Sequence, residues 1–142
     1  MVIVAQFAPA THVQQRGAGN SGVSIRDATR GKFAAGPAWV ADKTPSHNGY
    51  EIQIITGHDN EKYPTGSIYL FEAARKGVQN ENDWNKMEIR SRDNLITVLV
   101  NGQKVAEHAG DPARPKSGPI GLQLHDANSV VMFRNIRINE IK

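Results

Sequence analysis

Cysteine is absent from this chain. That excludes disulfide staples, thiolate nucleophiles and zinc–thiolate centres together. No apolar run approaches the roughly 20 residues that a membrane-spanning helix needs, so no membrane partner is expected. The most apolar start, MVIVAQFAPAT, lacks a basic leader and reads as a strand, not a signal peptide. Charge of one sign is also lacking, with 17 Lys and Arg against 14 Asp and Glu. The cations are scattered, without a basic run or an aromatic ribonucleoprotein motif, and nucleic-acid binding is not expected. Metal-binding runs of the H-x-H, HExxH or DxDxDG type do not occur, and the glycine-rich GAGNSG segment lacks the lysine and following helix of a nucleotide loop. None of these absences identifies a compartment.

What remains is an ordinary globular mixture of 142 residues, 39% hydrophobic and 22% charged. It suits one domain spanning residues 1–142. The patterning is that of strands. In Tyr50–Thr56, Tyr50, Ile52 and Ile54 share one face and Glu51 and Gln53 the other, because successive strand residues point to opposite sides. The same alternation marks residues 2–8, 23–27, 66–71, 84–90, 95–100 and 104–107. Asn101-Gly102 between the last two is a type I′ hairpin signal, since that turn needs positive φ at both central residues. In the stretch GPIGLQLHDANSVVMFRNIRI, residues 118–138, Ile120, Leu122 and Leu124 oppose Gly121, Gln123 and His125. The turn cluster Asp126–Ser129 then leads into a β-branched and aromatic strand carrying Arg134. Residues 28–48 have little periodicity, and a loop of that length in a compact domain is often functional. Within it Trp39 and Phe33 line a binding surface or cover the edge of the core. Nine or ten short strands with turns every 8–12 residues predict an all-β antiparallel sandwich or barrel with little or no helix.

Several motifs occur in a recognisable order. They are Asn20-Ser21-Gly22, Tyr50-Glu51-x-Gln53, Thr65-Gly66-x-Ile68-Tyr69, Trp84-Asn85-x-x-Glu88-Ile89, Val98-x-Val100-Asn101-Gly102, Gly118-x-Ile120-Gly121-Leu122-Gln123-x-His125 and Phe133-Arg134-Asn135-Ile136. Together, over about residues 2 to 141, the chain resembles the 3-keto-disaccharide hydrolase family. The resemblance implies a concanavalin A-like, laminin G-like jelly roll that binds an oligosaccharide or polysaccharide on a concave sheet face. Members usually carry further residues before the first strand seen here, forming outer strands of the sandwich, and are typically exported. An edge left uncovered without those strands invites pairing with another chain, so a homodimer is expected.

The candidate catalytic residues are Glu51, as general acid or base, and His125, whose titration near neutrality suits proton transfer. Gln53, Gln123, Tyr69, Arg26, Arg134 and Trp39 are the candidate substrate-binding residues. Amides and guanidinium groups hold hydroxyl, ketone or carboxylate oxygens, and the aromatic rings stack on sugar faces. A conventional glycosidase needs two carboxylates flanking the bond, and only Glu51 is a strong candidate. A 3-keto sugar removes that need: its ketone acidifies the hydrogen at C2, and the resemblance implies cleavage by elimination with one base and an oxyanion stabiliser. No cofactor is expected, although a hydroxyl-rich sugar site leaves room for a divalent cation such as calcium. The competing readings are a non-catalytic carbohydrate-binding module and a laminin G-like protein-interaction domain.

Overall fold

The computed structural model describes residues 1–9, 19–29, 44–56 and 62–140. Its strands are β1 (Val2–Pro9), β2 (Asn20–Ile25), β3 (Tyr50–Ile55), β4 (Asn85–Arg92), β5 (Leu95–Val100), β6 (Gln103–His108), β7 (Gly121–Leu122) and β8 (Val131–Asn139), with one helical turn, α1 (Pro45–Asn48). A five-stranded sheet runs β6-β5-β4-β1-β8, and a three-stranded sheet runs β3-β2-β7. Every pairing is antiparallel. The architecture is the antiparallel jelly-roll sandwich that the family resemblance implies, and its strands are those of the all-β pattern.

The two sheets bury their residues differently. In β4, Met87, Ile89 and Ser91 are buried while Lys86, Arg90 and Arg92 are exposed, the alternation of a sheet with one wet face. In β3 all six residues are buried. Tyr50, Ile52 and Ile54 enter the core with Ile3, Phe7, Val23, Ile25, Met87, Ile89, Ile96 and Val98. Burial of each such side chain stabilises the fold by roughly 1.5–3 kcal/mol. The opposite face of β3 is also covered, and it carries Glu51 and Gln53.

Eight strands occur among the described residues, fewer than the pattern predicts. The expected strand at residues 66–71 is replaced by a single pairing of Ile68 with Ile52, after which the chain reverses at Leu70, with φ of 73°. The expected strand after Gly118 pairs only through Gly121 and Leu122. The long loop ends in α1, and its residues 30–43, Trp39 and Phe33 among them, lie outside the described residues. The Asn101-Gly102 hairpin forms as expected, with φ of 51° and 80°.

Arg26 ties the sheets together. It follows β2 in a left-handed conformation, φ 55°, and is 4% exposed. Its Nη2 donates to Ser91 Oγ at 2.7 Å and to the Asp93 carbonyl at 2.5 Å, and its guanidinium lies 5.9 Å from the Tyr50 ring centroid. The expectation that Arg26 lines a substrate cleft is therefore replaced by a clamp from the small sheet to the β4–β5 turn. Replacing Arg26 with Ala removes charge-assisted hydrogen bonds and buried packing. It is expected to lower unfolding stability by about 3 kcal/mol in urea titrations; a loss under ~1 kcal/mol would show that the clamp contributes little.

Candidate functional site

The outer face of the small sheet is a lattice of polar residues set by strand register. Ser24 on β2 lies opposite Glu51 on β3, and Gly22 lies opposite Gln53. On the β7 side, Gly121 pairs with Ser24, and the Gln123 amide donates to the Gly22 carbonyl at 2.9 Å. On the other side, Tyr69 N–H donates to the Glu51 carbonyl and Gln53 N–H to the Ser67 carbonyl, both at 2.9 Å. Glu51, Gln53 and Gln123 therefore share one surface, with Tyr69 beside Glu51. Strand alternation predicts this grouping of residues far apart in the chain.

Glu51 is held by two amides. Gln123 Nε2 donates to its Oε2 at 3.0 Å. The Gln53 amide, in the orientation that satisfies both of its neighbours, donates to Glu51 Oε1 at 3.1 Å and to the Ser21 carbonyl at 3.2 Å. Ser21 in turn donates from Oγ to the Gln123 carbonyl at 2.7 Å. The carboxyl lies across β2, where a Cβ on residue 22 would come within 2.9 Å of Glu51 Cγ and 3.1 Å of its Oε1. Close approach accounts for Gly22 in this glycine-rich segment.

Glu51 is 5% exposed, and burial pushes its pKa up from 4.5 to about 7, against the opposing effects of the Gln123 hydrogen bond and the nearby His125 charge. A carboxyl poised near neutrality can accept or release a proton, the property required of a general acid or base. His125 is exposed above it, with Nδ1 2.8 Å from Asp126 Oδ2. Tyr69 packs edge-on against Tyr63 with centroids 5.1 Å apart, a partly exposed aromatic pair beside the carboxyl. Gln123 Oε1 is a buried acceptor with no hydrogen-bond partner among the described residues.

Two expected members are elsewhere, and a third is outside the description. Arg26 is the inter-sheet clamp. Arg134 donates from Nε to Gln6 Oε1 at 2.8 Å and stacks on Trp84 at 3.8 Å. Gln6 and Arg134 belong to β1 and β8 of the large sheet, so Arg134 is not brought to Glu51. The cause is sheet membership, because β8 pairs with β1 in the large sheet while Glu51 lies on β3 of the small one. Trp39 lies outside the described residues, as do His12 and His58. Two other histidines, His47 and His108, are half-buried. His47 Nδ1 lies 3.0 Å from Thr44 Oγ1, and the His108 ring lies 4.8 Å from Phe71. Ser21, Ser24 and Asp126 belong to the site as well, and the period-two pattern of β2 could have found the Ser24 position. Among the described residues, no three His, Asp or Glu side chains converge as a metal-binding group, and no helix is long and apolar enough to cross a membrane.

A family model described as a 3-keto-alpha-glucoside-1,2-lyase-like domain matches residues 6–139. Among solved structures, the chain superposes with a TM-score of 0.73 on a protein of Parabacteroides distasonis ATCC 8503 provisionally described as a glycosyl hydrolase. The two are 25% identical, and the match covers 99% of this chain and 77% of that one. A second protein from the same organism, with the same provisional description, superposes with a TM-score of 0.64 at 21% identity. That match covers 95% of this chain and 67% of the other, and shows the fold alone. No curated protein matches the chain.

The burial of Glu51 has a sign that can be measured. Its folded pKa of about 7 exceeds the ordinary 4.5, so the folded state holds the proton more tightly. Its unfavourable contribution is absent below pH ~4.5 and grows to on the order of 3 kcal/mol as pH rises through ~7. Relative to the parent chain, Glu51→Gln is expected to gain stability between pH 5 and pH 8 in paired urea titrations. A difference that does not change with pH would show that Glu51 ionises as it does in water.

Proposed function

Because the chain belongs to the family of 3-keto-alpha-glucoside-1,2-lyase-like domains, we propose that it is a carbohydrate-active enzyme. In this reading it cleaves the glycosidic bond of a 3-keto-glycoside on the outer face of the small sheet. The observation that carries this reading is the buried Glu51 carboxyl, with a pKa near 7, in one cluster with Gln53, Gln123 and the charge of His125.

The chemistry follows from the substrate's ketone. Glu51 as carboxylate removes the proton at C2, and the C–H electrons pass into an enolate on the C3 oxygen. That enolate collapses to form the C1=C2 double bond and expels the C1 oxygen substituent. His125 supplies a proton to the departing oxygen, so no free alkoxide forms. One base and one acid suffice, in place of the two flanking carboxylates of a conventional glycosidase. Gln123 Oε1, a buried acceptor without a partner among the described residues, would take a sugar hydroxyl once substrate reaches it. The Tyr63–Tyr69 pair would offer an aromatic face to the ring.

Glu51→Gln is expected to lower kcat on a 3-keto-disaccharide by about 10²–10⁴-fold, and His125→Ala by about 10²-fold. With Glu51 as the base, kcat/KM of the parent enzyme should rise with pH through about 7. Wild-type turnover in both variants would overturn the mechanism. Retention on the sugar without product would assign the site to a binding module.

The sugar is one partner and a second copy of the chain is another in this proposal. Leu122, Leu124, Val130, Met132, Ile136 and Ile138, on and between β7 and β8, are all exposed. Both strands are sheet edges. Open edges with apolar side chains favour association. Light scattering during size exclusion is expected to return twice the monomer mass, and the Leu124→Glu/Ile138→Glu double variant the monomer mass. A monomeric parent chain at tens of micromolar would end this part.

A further inference from the structure

We propose that Asp126 is a positioning residue that sets which nitrogen of His125 exchanges a proton with the substrate, a role that rests on the reading of His125 given above. The two oxygens of Asp126 face different partners. Its Oδ1 accepts the backbone N–H groups of Asn128 and Ser129 at 2.8 and 2.9 Å. Its Oδ2 accepts the Ser129 hydroxyl at 2.8 Å and lies 2.8 Å from His125 Nδ1. An ionised carboxylate can only accept, so Nδ1 must carry a hydrogen. The neutral ring then takes up a proton only at Nε2, the nitrogen available to substrate, and gives it from there to the departing oxygen. The carboxyl titrates far below the usual range, first through the His125 bond and then through those of Ser129 and Asn128, so it remains an acceptor throughout neutral pH.

The pair is anchored to the small sheet on both sides. Ser129 Oγ accepts the backbone N–H of Asn20 at 3.1 Å. The next residue, Ser21, holds the Gln123 carbonyl. His125 therefore sits between two points fixed to the start of β2, the strand beside Glu51. A tight turn alone would need only the Oδ1 bonds to Asn128 and Ser129. The second oxygen, shared by Ser129 and His125, is the part a turn does not require.

Asp126→Asn separates these roles. The Asn Oδ1 can keep both turn amides, which directs its Nδ2 donor at His125 Nδ1. That nitrogen must then be the acceptor, and the proton moves to Nε2. Nitrogen-15 spectra of the imidazole, recorded above its titration, should show the Nδ1–H tautomer in the parent chain and the Nε2–H tautomer in Asp126→Asn. With 3-keto-disaccharide, kcat should fall by at least about tenfold with KM within about twofold. A parent ring carrying its proton on Nε2, or an unchanged tautomer in Asp126→Asn, would overturn the inference. A tautomer switch with an unchanged kcat would also overturn it, because the geometry would not govern proton transfer. The spectra need no substrate, so an inactive parent protein whose tautomer still switches would overturn the proposed activity, not the control of His125 by Asp126.

Discussion

Water is excluded from both faces of β3, and the site is a response to that constraint. A strand must alternate its side chains. Placing Tyr50, Ile52 and Ile54 in the core therefore sends Glu51 and Gln53 to the other side, which is also covered. A carboxyl there loses hydration, and a buried polar group without partners destabilises the fold. The polar residues around it answer this need: two glutamine amides on its oxygens, a serine that fixes one of those glutamines, and a glycine that leaves room for its stem. The same withdrawal from water that raises the proton affinity of Glu51 makes it suited to moving protons at neutral pH.

The site was readable from the sequence where function depends on period and unreadable where it depends on backbone irregularity. Glu51, Gln53 and Gln123 fall on one face by counting in twos, and the structure brings them together. Arg134 resists counting, because alternation does not say which sheet a strand joins, and β8 pairs with β1 in the large one, which puts Arg134 with Gln6. Arg26 defeats it differently. Its left-handed backbone turns the side chain out of the strand's alternation and toward Ser91, 65 positions away. The segment 66–71 alternates like a strand until Leu70 takes a positive φ that no pattern of hydrophobicity announces.

The two ends of the 118–138 stretch have opposite characters. Gln123 and His125 turn polar groups to the Glu51 face, while Leu122 and Leu124 leave apolar surface exposed. One short edge strand thus separates a polar, chemically equipped face from an apolar margin. Any protein docked on that margin would lie one strand away from the proposed site, a spacing set by the order β3-β2-β7.

The placement of β1 has a consequence for synthesis. β1 lies inside the large sheet, paired with β4 on one side and β8 on the other, Val2 against both Arg90 and Asn139. β1, the first of the described strands, is therefore completed only once β8, the last of them, has been made. Until then an apolar strand with two unpaired edges stays in solution, a form prone to aggregate. Closure of the large sheet must wait for β8, and its pace is governed by long-range strand pairing.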